Sequence, residues 1–352
     1  RSGIEAKDVQ YVFAGQVLQA ASGQNPARQT AILAGIPKST PAQTINSVCL
    51  SGMDAVTAAV RLIESGEADV VVAVGQESMT QAPHAIKNSR LGKKYGSIQA
   101  IDTLEFDGLT DAFEKISMGA ATEAAISGLA ISRLDQDSLA AKSHQQLANS
   151  TAFQSEEIAP IQISINGEVL MVTSDDGLRK ETSVESLGTL KPAFGKDGTI
   201  TAGNSSQITD GAAAIVLMRE AAAKSRGIAG LARILSTSFV AGPDFSLAAQ
   251  PANAIQAALA KTEKIVSDLS AVEINEAFAA VAVHSTRLLG VDVSIVNSNG
   301  GAIAMGHPIG ASGTRIVGHL ARRLQKIGTG AVGAAGICGG GGQGSAILLE
   351  AL

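Results

Sequence analysis

Tryptophan is absent from this chain of 352 residues, tyrosine occurs twice, and aromatic residues make up only 3% of it. A core built on large rings is therefore excluded. The apolar fraction of 45% rests on small aliphatic residues, and 38 glycines stand beside them, a makeup suited to close packing of helices on sheets in a layered α/β protein. Cysteine is equally scarce. Cys49 and Cys338 lie far apart and no C-x-x-C pair occurs, so neither a disulfide framework nor a zinc site is expected. Charged residues are few at 17%, the formal net charge is −5 and no long basic run exists, which argues against a nucleic-acid partner. No apolar run reaches the ~18 residues needed to span a bilayer. The chain opens Arg-Ser-Gly-Ile-Glu rather than with a signal sequence, so a cytoplasmic protein with no membrane partner is expected. A single ordinary core is too small for 352 residues, and two or three domains are anticipated.

What is present is organised around Asn299 to Arg315, a glycine-rich stretch carrying His307. Alternating apolar residues predict a strand over 291–296 before it. Ile316, Val317, Leu320, Leu324 and Ile327 predict a helix after it, ending near Gly328. Pro308 restricts the loop, while Gly306 and Gly310 permit backbone shapes and close approaches that a side chain would obstruct. A lone histidine there is also compatible with a tight turn and a satisfied imidazole.

Further strands are predicted over 11–17, 44–48 and 69–75, the last an apolar run of parallel-sheet character. Helices are predicted over 27–34 and from Met53 to Glu64, which sets Cys49 at a strand-to-helix elbow. From Gln76 to Ser206 the texture is more polar. Helices over 118–127 and 134–151 and a hairpin over 160–173, turning at Asn166-Gly167, are expected there, and the segment reads as an inserted lid. Strand texture resumes at 211–218, followed by a helix to about Arg226. A second half is expected from Ala229, with strands over 232–239 and 271–274, helices over 253–261 and from Glu276, and a last pair of strands around Cys338. Gly211-Ala-Ala-Ala-Ile-Val-Leu-Met resembles Gly344-Ser-Ala-Ile-Leu-Leu-Glu, and the Cys49 elbow resembles that at His307. Duplication is the simplest account. The domains expected are 1–75 with 207–228, 76–206, and 229–352.

Four points carry chemistry. A helix N-terminus and a nearby imidazole lower a thiol's pKa from ~8.5 and activate it, and Cys49 has the first by position. Taken alone it is equally a small buried hydrophobe. Gly339 to Gly344 matches G-x-G-x-x-G, but the run enters a short strand at 345–349 with no helix to receive a pyrophosphate, so no dinucleotide site is expected. Its glycines can instead offer backbone N–H groups to an oxyanion beside Cys338, or simply form a hairpin. Asn275-Glu276-Ala277-Phe278 sits at a strand-to-helix turn, where Asn275 is equally a helix cap.

Together these points resemble the thiolase family. Val-Cys49-Leu-Ser-Gly, Asn275-Glu-Ala-Phe, Gly-His307-Pro-Ile-Gly-Ala-Ser-Gly and Cys338-Gly-Gly-Gly-Gly-Gln-Gly stand in the family's order and approximate spacing. Asp107-Gly-Leu-Thr-Asp-Ala-Phe113 and Thr201-Ala-Gly-Asn-Ser-Ser206 extend the likeness over essentially the whole chain. The resemblance implies two duplicated, doubly wound α/β halves in a layered αβαβα core with an inserted loop domain. It implies condensation of two acetyl-CoA to acetoacetyl-CoA and the reverse thiolysis, with CoA and acyl-CoA as substrates and no further cofactor. By the same likeness Cys49 takes the acyl group, His307 activates it and Cys338 is acid and base at the second substrate's α-carbon. One oxyanion site uses His307 and a water held by Asn275, the other the N–H groups of Cys49 and Gly340. Arg179, Ser206, Leu109, Met118 and Phe278 match positions lining the family's CoA tunnel. A homodimer or homotetramer is implied as well.

Two departures stand out. Ser117-Met118-Gly119 replaces a His-Met-Gly of the short-chain members, although Ala82-Pro83-His84 and the Asp107 run resemble that branch. The family's first strand and helix, with an Arg-Thr-Pro motif, have no counterpart ahead of Arg1, and that strand is expected in an inner position. A broad-chain 3-ketoacyl-CoA thiolase and a silent acyl-CoA-binding protein are the alternatives. A ketosynthase is disfavoured because those enzymes generally carry histidine where Cys338 stands.

Overall fold

The computed structural model describes residues 2–352. Its first half opens with β1 (Tyr11–Gly15), α1 (Pro26–Leu33), β2 (Ala42–Ile45), α2 (Ser51–Glu64) and β3 (Val70–Ser78). An excursion follows through β4 (His84–Ile86), β5 (Ala100–Asp102), a π-helical turn Leu104–Leu109, α3 (Met118–Ile126), α4 (Arg133–Asn149) and α5 (Thr151–Glu157). It continues as the hairpin β6 (Ile161–Ile165) and β7 (Glu168–Val172), then α6 (Val184–Gly188). The expected Asn-Gly turn is there, Asn166 and Gly167 both taking positive φ. β8 (Asp210–Met218) returns to the first sheet and α7 (Glu220–Ser225) leads out of it.

The second half comprises β9 (Ala232–Ala241), α8 (Gln250–Leu259), β10 (Leu269–Ile274), α9 (Ala279–Leu289), α10 (Ala302–Met305), α11 (Ser312–Ile327), β11 (Val332–Gly339) and β12 (Gln343–Ala351).

The two sheets run β2-β1-β3-β8 and β10-β11-β12-β9. In each, parallel strands (β1 beside β3, β10 beside β11) meet an antiparallel one, β8 or β12. The matching order supports duplication. In the second half the opening strand β9 lies on the outer edge beside β12, so the equivalent place in the first half is the outer edge of β8 rather than an inner position.

Between the sheets lie α2 and α11. A single buried cluster joins Met53 and Val56 of α2, Ile316 and Leu320 of α11, Val71 and Ala73 of β3, and Ile337 and Ile347 of β11 and β12. The helices approach so closely that a Cβ on Gly313 would lie 2.3 Å from the Met53 N atom, and Thr314 Oγ1 donates to the Gly52 carbonyl at 2.7 Å. On the outer faces α1 covers the first sheet, with Ala27 and Ala31 in one cluster, and α8 covers the second through Ile255 and Leu259. Layers of helix, sheet, helix, sheet and helix result.

Two further sequence expectations are corrected. The strand over 291–296 is a 3-10 turn, Val293–Ile295, because the Asp292 side chain accepts from Ser294 N and curls the chain. One parallel bridge, Val272 to Val296, is all that remains where β2 stands in the first half. The helix expected from Glu276 begins at Ala279, since Ala277 N–H turns back to the Asn275 carbonyl and Ala277 and Phe278 are tied to Ser206 and Ser205.

Candidate active site

Cys49 closes a sharp elbow between β2 and α2. Val48, immediately before it, holds φ at 54°, a left-handed conformation that is a genuine outlier for a β-branched residue and costs roughly 1–3 kcal/mol. The elbow is tied from both sides: Val48 N donates to Asn46 Oδ1 at 3.1 Å, and Ser51 Oγ donates to Val48 O at 2.6 Å. Such strain turns the Cys49 sulfur toward its own backbone N–H and that of Gly340, both of which stabilise the thiolate. Burial nevertheless dominates, and the thiol is pushed up to about 12, with the Glu77 carboxylate adding to the rise. The lowered pKa expected from the helix N-terminus does not hold in the resting chain, because desolvation outweighs the two donors.

Cys338 ends β11, 1% exposed. Its thiol is also raised, first by burial and then by Cys49 nearby. Three glycines link β11 to β12. Gly341 and Gly342 take φ of 81° and 68°, and a Cβ on Gly342 would meet the Asp244 carbonyl at 2.0 Å. The glycine run is thus demanded by a tight hairpin pressed on a neighbouring loop.

His307 follows α10 on a loop held by Pro308 and the N-terminus of α11. It is 5% exposed, and Nδ1 lies 2.6 Å from Ser312 Oγ, which donates to the Pro308 carbonyl at 3.2 Å. That chain assigns the Nδ1–H tautomer and leaves the Nε2 lone pair free to take a proton. Burial, and then Arg315, depress its pKa to about 3, so the imidazole is neutral. The amide nitrogen of Asn275 lies 3.4 Å from Nε2, while its Oδ1 is buried with no partner among the described residues. Asn275 does not cap α9, whose cap position is Phe278.

The structure brings most of the expected CoA residues to this centre. Phe278 and Met118 pack in the cluster that contains Cys338, and Leu109 packs with Cys49 against Val17, Met79 and Ile309. Ser206 N donates to the Ala277 carbonyl, and the next residue, Gln207, accepts from His307 N at 3.3 Å. Arg179 stands further out and exposed, its backbone N–H donating to His144 Nδ1 at 3.2 Å. Ser117 caps α3 by accepting from Ala120 N. Sequence reading missed Ser312 as the partner of His307, although it lies within the quoted loop. It also missed Glu77 and Glu276, two buried carboxylates behind the site; Glu276 was in plain view beside Asn275.

Two sheets enclosing paired central helices, with two thiols, a neutral imidazole and a buried amide gathered at one end, define a fold and site of thiolase type. The chain belongs to the thiolase family: residues 1–221 match the model "Thiolase, N-terminal domain" and 228–351 "Thiolase, C-terminal domain". It is 51% identical, over all of its length and 90% of the relative's, to a probable acetyl-CoA acetyltransferase of Mycobacterium tuberculosis. It is 44% identical to the acetyl-CoA acetyltransferase of Thiocystis violacea, again over all of this chain and 90% of that one. Among solved structures, the acetyl-CoA acetyltransferase of Bacillus anthracis and human mitochondrial 3-ketoacyl-CoA thiolase each superpose with TM-score 0.95. Both are 36% identical, with all of this chain and 89% of the other covered.

Proposed function

We propose that the chain is an acetyl-CoA acetyltransferase, condensing two acetyl-CoA to acetoacetyl-CoA and CoA and running the reverse thiolysis. The observation that carries this reading is the pair of backbone donors, Cys49 N–H and Gly340 N–H, converging on a half-buried cysteine in a chain about half identical to acetyl-CoA acetyltransferases. Fold alone does not choose a chain length, since a short-chain and a broad-chain enzyme superpose equally well.

In the first half-reaction neutral His307 takes the Cys49 proton as sulfur attacks the thioester. The tetrahedral oxyanion accepts from Cys49 and Gly340 N–H. CoA departs as a thiolate that takes the Cys338 proton, leaving acetyl-Cys49, an imidazolium and a Cys338 thiolate. That thiolate then removes the α-proton of a second acetyl-CoA, and the enolate oxygen is held by His307 and a water on Asn275. Carbon–carbon bond formation expels Cys49, which recovers its proton from His307, and every group returns to its starting state. Neutral resting thiols suit this cycle: each is ionised only while His307 carries the balancing positive charge as an imidazolium.

Ser206, Leu109, Met118 and Phe278 flank the acyl end of CoA in this reading, and Arg179 meets its nucleotide end. The division into 1–75 with 207–228, 76–206 and 229–352 is proposed on the same footing, as are a homodimer or homotetramer and a cytoplasmic setting. Initial rates of CoA-dependent cleavage test the substrate. Acetoacetyl-CoA is expected to exceed 3-ketodecanoyl-CoA in kcat/KM by at least about tenfold. The reverse preference supports a broad-chain thiolase, for which the serine at 117 is the specific argument, and no cleavage of either supports a silent binder.

A further inference from the structure

We propose that Glu77 and Glu276 are positioning residues that clamp the two ends of the His307 loop, one carboxylate from each half of the molecule. The inference rests on the reading of His307 as the base. Glu77, at the end of β3, is 5% exposed and receives Gly310 N on Oε2 at 3.0 Å, just past His307. The same carboxylate receives Val17 N at 2.9 Å and Leu18 N at 3.2 Å from the segment after β1, which packs around Cys49. Glu276 is 2% exposed and receives Ile303 N at 3.1 Å, ahead of His307. Its other donors are Asn297 Nδ2 at 2.8 Å and Ser143 Oγ at 2.7 Å, the latter from α4 of the inserted segment. Ser143 Oγ in turn accepts from Gly301 N at 3.0 Å, and a Cβ on Gly301 would strike the Glu276 carboxylate at 2.2 Å.

The buried ion pair of this region, Arg323 with Glu273, involves neither residue. A buried carboxylate is costly unless hydrogen-bond donors satisfy it, and here loop N–H groups on either side of His307, Ile303 N and Gly310 N, are among those donors, so each carboxylate holds one end of the loop. Each has a distinct reach. Glu77 ties the loop to the nucleophile's surroundings, and Glu276 ties it to Asn275 and the inserted helix. The Glu77 charge also opposes ionisation of Cys49, which separates its role from scaffolding.

The test is steady-state thiolysis of acetoacetyl-CoA by the full chain as Glu77→Gln and Glu276→Gln, beside iodoacetamide alkylation of Cys49 and a His307→Ala control. Each glutamine variant is expected to lose about 10- to 100-fold in kcat, the cost of displacing a catalytic group by roughly 1 Å, with KM changed less than about twofold. In Glu77→Gln, Cys49 is alkylated faster at fixed pH while thiolysis slows, opposite movements that simple loosening does not produce. A folded variant with kcat within about twofold of wild type, or with only KM raised, overturns the clamp. Should Glu276→Gln fail to fold, Ser143→Ala removes a single donor and must still lower kcat more than KM rises. An active His307→Ala sinks the reading of His307 and the clamp with it. An inactive one beside fully active glutamine variants sinks the clamp alone.

Discussion

Replacing Gly313 by alanine tests the helix crossing on which the catalytic geometry rests. The added Cβ would lie 2.3 Å from Met53 N, 2.8 Å from Met53 Cβ and 3.0 Å from Met53 Cα. Two of these atoms are backbone, so no rotamer change relieves the clash. α2 and α11 must separate by about 1 Å to restore ordinary contact near 3.4–4 Å. Overpacking of a tight core costs roughly 1–3 kcal/mol, and a Tm lowered by about 1–4 °C follows in a chain of this size. Activity is expected to suffer more. α2 carries Cys49 at its N-terminus and α11 carries the His307 loop, so a 1 Å separation of the helices is a 1 Å separation of the two groups and costs about 10²-fold. Gly188→Ala serves as the control, since nothing lies within 4 Å of its Cβ position. Thermal melts followed by thiolysis rates at 25 °C read both effects. A Gly313→Ala protein with unchanged Tm and kcat would refute the close crossing and the coupling drawn from it.

Two further expectations concern protonation. His307 has its folded pKa depressed to about 3, so between that value and the unfolded ~6.5 the unfolded chain binds the extra proton and stability falls as pH falls. Urea unfolding at pH 7.5 and 4.5 should show His307→Asn losing about 2–3 kcal/mol less than wild type over that interval. An equal loss in both would show that the histidine is not buried neutral. Second, the Cys49 thiol, pushed up to about 12, should be alkylated by iodoacetamide at a rate that climbs throughout pH 7–10. A plateau across neutral pH would reveal a resting thiolate–imidazolium pair instead.

Helix α11 was legible from Ile316 to Ile327 because a buried stripe at helical spacing leaves a periodic trace, and the glycines around His307 marked the loop before it. The segment 291–296 was misread for a related reason. Alternation of Val and polar residues fits a strand, but Asp292 offers its carboxylate to Ser294 N and a 3-10 turn forms. Asn275 looked like a cap because it precedes a helical pattern. The helix waits until Ala279 because Ala277 and Phe278 pair with Ser206 and Ser205, a contact more than 60 residues distant that no local pattern records. Cys49, His307, Cys338 and Asn275 stand out in the sequence through their motifs. Their electrostatics do not, since burial of each group depends on both halves closing over it. The left-handed Val48 was equally hidden: nothing in a valine announces a conformation that only its surroundings enforce.

Mass spectrometry of the intact chain after brief exposure to acetyl-CoA tests the central claim most directly, with Cys49→Ala and Cys338→Ala beside wild type. One acetyl group is expected on wild type, none on Cys49→Ala, and one again on Cys338→Ala, because the departing CoA thiolate is a good leaving group that solvent protonates in place of Cys338. Acetylation that survives in Cys49→Ala, or a folded wild type that takes up no acetyl group, would contradict the account.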